Sequence, residues 1–240
     1  MSCSSRLVRL LLVCLAGLGS GGCARFAQLH QLGDGYYRVR SVSNDTLARQ
    51  LRLIPASRYY VQQRGDTLAF TPPATSAATP PTLFYQLRGA ESVRLLHRSF
   101  DLDIFSIPFK VLPPRQGLPV QLNTNFNAAL YVGRRLDFYR VRNRRLTPFQ
   151  PRPFIRSNGV GYGLFGGLGS SIITPDLTRQ HAITDYEGFT LHGGAAAIYD
   201  ARLLNIGLAV GLDHLLGPDA RYWAYQNRPW VGVLFGLDLN

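Results

Sequence analysis

VQLNTNFNAALYVG, Val120 to Gly133, separates into two sets when every second residue is taken. Val120, Leu122, Thr124, Phe126, Ala128, Leu130 and Val132 form one set, and Gln121, Asn123, Asn125, Asn127, Ala129, Tyr131 and Gly133 the other. Successive side chains of a strand point to opposite faces, so the stretch predicts one long strand, apolar on one side and amide-rich or small on the other. It is long for a soluble strand and suits a tilted strand crossing a membrane. What stands on the second face decides between lipid and a protein core.

The same texture recurs through residues 99–240. Phe100, Leu102 and Ile104 alternate with Ser99, Asp101 and Asp103, in a strand expected to end by Pro108 and Pro113-Pro114. Val160, Tyr162, Leu164, Leu168 and Ile172 oppose Gly161, Gly163, Phe165, Gly167 and Gly169. Phe189, Leu191, Ala195, Ala197 and Tyr199 oppose Thr190, His192, Gly194 and Ala196. After a turn at Asp200-Ala201-Arg202, Leu204, Ile206, Leu208, Val210 and Leu212 oppose Asn205, Gly207, Ala209, Gly211 and Asp213. Val231, Val233, Phe235, Leu237 and Leu239 oppose Trp230, Gly232, Leu234, Gly236 and Asp238.

A soluble strand carries Lys, Glu, Thr and Arg on its wet face, whereas these carry Gly, Ala, Asn and an occasional Asp. Glycine weakens an ordinary strand, and a narrow barrel supplies a reason for it, because inward side chains converge and small must alternate with large. The other face is almost free of charge, as a lipid-facing band requires; a charge at the midplane would cost about 2–4 kcal/mol. The aromatics Tyr131, Phe138 and Tyr139, and Tyr222, Trp223, Tyr225 and Trp230, suit interfacial girdles. The expected fold is therefore all-β, an antiparallel meander closing into a small outer-membrane β-barrel of about eight strands, with a small N-terminal β-rich segment. Six strands come from 99–240 by this count, so the others must come from residues 58–98 or from oligomerisation; the oligomeric state is left open.

Composition agrees. The chain has 240 residues, 46% hydrophobic, which excludes a disordered protein, and only 17% charged, which is low for a surface wholly in water. The net charge is +12, and Lys110 is the only lysine. Arg6 and Arg9, the apolar run Leu10–Leu18 and the small residues Gly19–Gly22 read as a secretion signal over 1–22. Cys23, in SGGCA, resembles the lipidated cysteine of a bacterial lipobox, although Ser20 stands where an aliphatic is usual; cleavage after Ala24 is the alternative. With Cys3 and Cys14 inside the signal, no cysteine pair remains for a disulfide.

Residues 23–71 form the expected N-terminal segment: a short strand around Tyr36–Val42, a helical stretch capped by Asp45 and ended by Pro55, and a hairpin turning at Arg64-Gly65-Asp66. That tripeptide is also an adhesion motif, but a tight turn explains it. Pro72–Pro81, PPATSAATPP, is expected as a linker before a barrel domain over 82–240, with a short strand at Leu83–Leu87.

QLNTNFNAALYVG, GLAVGLDHLL and YWAYQNRPWVGVLFGLDLN resemble a family of uncharacterised envelope proteins of the Bacteroidota type, with a lipoprotein-like start and an outer-membrane β-barrel-like body. The resemblance covers about residues 95–240 and implies an envelope location and a barrel, but no reaction. Outer-membrane barrels usually end in Phe or Trp, whereas this chain ends Leu239-Asn240.

Site chemistry is sparse. Gly161-Tyr162-Gly163-Leu164-Phe165-Gly166 matches GxGxxG, but the glycines continue in strand alternation and no helix follows, so no dinucleotide is expected. His30, His97, His181, His192 and His214 lack metal-ligand spacing, and no cofactor is expected. Asp101, Asp103, Gln121, Asn123, Asn125, Asn127, His192, Asn205, Asp213 and Asp238 should project into the lumen as a polar network, with Arg98 or another arginine as counter-charge. Its expected role is structural. Arg134–Arg156 reads as a basic loop, either merely solvated or meeting outer-membrane lipids or lipopolysaccharide phosphates, rather than as a nucleic-acid site. The leading expectation is a lipidated outer-membrane barrel with a structural or interaction role and no catalytic activity. One alternative is a periplasm-facing lipoprotein whose soluble barrel or sandwich binds an apolar ligand or partner. Another is an outer-membrane lipid hydrolase built from Ser170 or Ser171, His192, and Asp185 or Glu187.

Overall fold

A computed structural model describes residues 31–54, 56–74, 81–89, 91–147, 150–200 and 205–238, with the side chains of 143–147, 150–153 and 237–238 outside the description. The signal stretch, Cys23 and the turn at 201–204 therefore lie outside the described residues, as does the side chain of Asp238. The chain is all-β, with its strands in one antiparallel sheet. They are β1 (Gly35–Val42), β2 (Tyr59–Arg64), β3 (Thr67–Thr71), β4 (Leu83–Gln86), β5 (Ser92–Leu112), β6 (Gln121–Asn123), β7 (Asn127–Thr147), β8 (Gln150–Ile173), β9 (Tyr186–Asp200), β10 (Asn205–Leu215) and β11 (Arg228–Asp238). Two compact units result, one of residues 1–95 with 139–156 and the other of 96–138 with 157–240.

In the first unit, helix α1 (Asp45–Leu53) is capped by Asn44, not Asp45: Asn44 is extended, and its side-chain oxygen accepts the Leu47 N–H at 3.0 Å. The Tyr59 hydroxyl meets the helix-end carbonyls of Leu51 and Ile54 at 3.0 and 2.5 Å. β2 and β3 form the expected hairpin, Arg64 facing Thr67 across Gly65-Asp66, with Gly65 at φ +60°. The stretch 72–81 is no linker between domains. β4 after it pairs with β3 before it, Thr67 opposite Gln86 and Phe70 opposite Leu83, so it is a connection within one unit, and its residues 75–80 lie outside the described set. The core gathers Tyr37, Leu47, Val61, Leu68, Phe70, Val93, Leu95, Val141 and Ile155.

In the second unit, pairing runs β5-β7-β8-β9-β10-β11, and β11 pairs again with β5, which makes a ring of six strands where about eight were expected. Pro108 lies inside β5 instead of ending it. Between Val233–Phe109 and Phe235–Ser106, β5 holds one residue more than β11, a bulge that tolerates a residue with no N–H to donate. The opening stretch also differs from one continuous strand. β6 pairs with β5, Asn123 opposite Lys110, and β7 begins only at Asn127. Asparagines cause the interruption: the Asn123 side chain accepts the Asn125 N–H at 2.8 Å, and the Asn127 amide donates to the Asn125 carbonyl at 2.8 Å, replacing ladder bonds.

The faces sort as expected, and they are inverted relative to a soluble sheet. Along β10 every second residue from Asn205 to Leu215 is buried, while Ile206, Leu208, Val210 and Leu212 are exposed. Phe100, Leu130, Leu164, Leu168, Phe189 and Val231 are likewise exposed on their strands, Leu164 at 69%. Two expectations fail. Tyr131, Trp223, Tyr225 and Trp230 are buried, so they form no outward girdle; Phe138 is exposed. The Arg-rich segment is strand rather than loop, with β7 reaching Thr147 and β8 starting at Gln150. No helix among the described residues is long and apolar enough to cross a membrane, which says nothing of strands.

Candidate functional site: the buried polar face of the six-strand ring

Lys110 of β5 and Asp213 of β10 lie on the two strands that flank β11. Their side chains meet at the buried face, the Lys110 Nζ donating to both Asp213 oxygens at 2.9 and 3.0 Å, with side-chain exposures of 0% and 1%. A third hydrogen bond comes from Trp230 Nε1 of β11, which reaches Asp213 Oδ1 at 2.6 Å, and Lys110 Nζ stands 4.7 Å from the Trp230 ring centroid. The carboxylate thus accepts three hydrogen bonds, two from a cation, as a buried charge requires. Glycine makes room for the indole: a Cβ on Gly211, which faces Trp230 in the ladder, would stand 2.5 Å from its Cζ2.

His192 lies beside this group, its ring 6.5 Å from Trp230 and 6.2 Å from Phe165. Neither of its nitrogens meets the geometry of a hydrogen bond, although a backbone acceptor at Ala128 is close to the ring. Elsewhere on the buried face Asp101 and Asp103 are buried beside Tyr131, which packs edge-on against Phe105 at 5.1 Å.

Toward the β8–β9 connection the polar groups pair with one another. Asn123 donates to Ser171 Oγ at 2.8 Å, Ser170 Oγ donates to Glu187 at 2.5 Å, and Asn125 donates to Glu187 at 3.2 Å. Gln121, Asn123, Asn125, Ser171, Trp223 and Tyr225 help line an open depression of about 370 Å³. Beyond it, a short 3-10 turn (Pro218–Arg221) carries Asp219, which accepts from Tyr186 at 2.8 Å and meets His181 Nδ1 at 2.6 Å. His181 stacks on Tyr222 with 3.9 Å between centroids. The Tyr186 and His181 hydrogen bonds hold the Asp219 carboxyl below its usual range, and burial, with Asp219, pushes the Tyr186 phenol up to about 12.

Of the residues expected in the lumen, Asp101, Asp103, Asn123, Asn127, His192, Asn205 and Asp213 are buried, while Gln121 and Asn125 are half-buried. Lys110 is the counter-charge of Asp213, and Arg98 is exposed. Lys110 is the residue that sequence reasoning missed; its one signal was to be the only lysine, set amid apolar neighbours in FKVL. Of the residues of the hydrolase alternative, Ser170 and Glu187 meet, but His192 does not join them. Ser170 and Ser171 bond Glu187 and Asn123, Asp185 is exposed, and His192 sits opposite Gly167, four residues or about 13 Å along the strand from Gly188, the partner of Ser171. Among the described residues no group of three His, Cys, Asp or Glu could hold a metal ion.

Compared with protein-family models, with curated proteins and with solved structures, the chain matches none.

Proposed function

We propose that the six-strand ring is a small β-barrel set in the outer membrane, reached through the N-terminal signal and tethered by lipid at Cys23, with a structural or interaction role. The observation that carries this reading is the inversion of its faces. Val, Leu, Ile and Phe stand outward on strand after strand, while Lys110, Asp213, Asp101, Asp103 and Asn127 are buried. Each large apolar side chain left in water forgoes about 1.5–3 kcal/mol, so such a face in water would forfeit on the order of tens of kcal/mol. Monomeric soluble proteins rarely show contiguous apolar patches beyond a few hundred Å². In lipid the same face is satisfied, and a closed set of paired strands is one of the two ways a chain can satisfy its backbone groups there. The polar buried face then fixes register and fills the centre.

The test is migration on gels before and after boiling, together with extraction of membranes by alkaline carbonate. The unboiled protein should run at a different mobility from the boiled one and stay with the membrane pellet. Identical mobility with full release into the supernatant would overturn the barrel.

A further inference from the structure

The first unit bears a field of arginines that the barrel reading does not use. Tyr37 of β1, Val93 and Leu95 of β5, Val141 of β7 and Ile155 of β8 point into its core. Their neighbours in the alternation, Arg38, Arg40, Arg94, Arg140, Arg142 and Arg156, therefore stand on the opposite face. The strands β1, β5, β7 and β8 are consecutive in the sheet, which sets adjacent rows about 4.8 Å apart and alternate residues about 7 Å apart. All but the half-buried Arg140 are exposed.

Among the described residues, nothing within the unit neutralises this field. Among the described residues no carboxylate pairs with any of these arginines. The acids of the unit are engaged elsewhere: Asp34 accepts from Gln62, Asp66 from Gln86, Glu91 from Asn44 and Tyr85, and Asp45 stands in the first turn of α1. Arg140 Nε is buried without a hydrogen-bond partner. The like charges of Arg142, Arg94 and Arg156 surround the Arg140 guanidinium.

We propose that this arginine face seats on the headgroups of an anionic phospholipid surface, each guanidinium gripping phosphate oxygens through its paired N–H donors. The proposal rests on the membrane reading of the second unit and deepens it by naming the polar partner of the first. A lipid phosphate is preferred to a nucleic acid because the chain is read as exported to the envelope; the face does expose Tyr36 and Phe154, so an oligonucleotide is carried as an outcome of the test.

The test titrates the full-length protein, held in neutral maltoside micelles, with phosphatidylglycerol and in parallel with phosphatidylcholine. The comparison variant is Arg94→Gln/Arg142→Gln/Arg156→Gln, which changes only exposed side chains. Wild type should bind phosphatidylglycerol more tightly than phosphatidylcholine, less so at high salt. Each arginine near an anionic surface contributes about fivefold, so the triple variant should lose roughly a hundredfold and with it the selectivity. Equal binding of both lipids by wild type, an unchanged preference in the variant, or tighter binding of a single-stranded oligonucleotide would each overturn the proposal. A boiling-dependent gel shift without lipid selectivity would remove this inference alone. Selectivity without a gel shift would remove the barrel and leave the arginine face standing.

Discussion

Replacing Lys110 with methionine removes the cation from the centre of the ring while nearly keeping its length. Asp213 would then keep one of its three hydrogen bonds, that from Trp230 Nε1, and stay at 1% exposure with no opposite charge. Stripping one partner from a buried pair costs about 3–5 kcal/mol. Loss of the cation over the Trp230 face belongs within that range, since such contacts are worth about 0.5–2 kcal/mol. The companion variant Lys110→Met/Asp213→Leu removes both charges and refills the space with apolar atoms, which is often neutral or stabilising. The double variant should therefore return to within about 1–2 kcal/mol of wild type, and the cycle should show a coupling energy of several kcal/mol. Urea titration of the micelle-held protein, followed by tryptophan fluorescence and by the unboiled gel band, measures each corner. A single variant that loses less than about 1 kcal/mol, or a double variant as unstable as the worse single one, would refute the claim that this pair is closed and dry.

Two further outcomes follow from the geometry. Gly166 and Gly167 are adjacent but face opposite ways: a Cβ on Gly167 would collide with the Ala128 carbonyl oxygen and the Ala129 Cα, whereas one on Gly166 meets nothing nearer than 4.0 Å. Gly167→Ala should prevent recovery of the folded gel band and Gly166→Ala should leave it unchanged, with refolding yield as the readout. The Asp219 cluster should set a pH window for the β10–β11 connection. A depressed carboxyl contributes stability that is full above its unfolded value, about 4, and falls away as pH drops through the folded one. A raised phenol contributes stability that is full below about 10 and is lost as pH rises toward the Tyr186 value of about 12. Amide protection factors in residues 217–227, observed rates corrected for the intrinsic rate at each pH, should thus be highest between those limits, and Asp219→Asn should remove the acid-side change.

The alternation was legible because each long strand repeats it, and each repetition was an independent sample of the same inverted face. Where two readings of one residue competed, the alternation was the better guide. Tyr131 and Trp230 fell on the small, polar set by position and in the girdles by residue type, and both are buried. The Asn-x-Asn-x-Asn run carried the faces correctly through a break it did not announce, since its amides bond neighbouring backbone with no change in the apolar pattern. Pro108 misled in the opposite direction, because a bulge can hold a proline where local sequence shows only a stop. Lys110 was beyond local reading: its partner is 103 residues away, and only the register of β11 against both neighbours brings them together.

That register also explains why a ring of six strands, narrower than the eight anticipated, is filled. Several large side chains on the buried face meet a glycine of a neighbouring strand. Trp230 lies over Gly211, Phe105 over Gly236, Tyr131 over Gly163, and Leu234 over Gly207, each so near that a Cβ would collide. A glycine stripe chosen only for flexibility would fall without regard to the bulk across the ladder, and these do not. The same pairing bears on what the centre can do. Indole, phenol and phenyl rings pack into the space the glycines leave, and an ion pair spans β11, which supports the structural role proposed above for the buried face. Function is then to be sought on the surfaces the two units present, apolar on one and arginine-rich on the other.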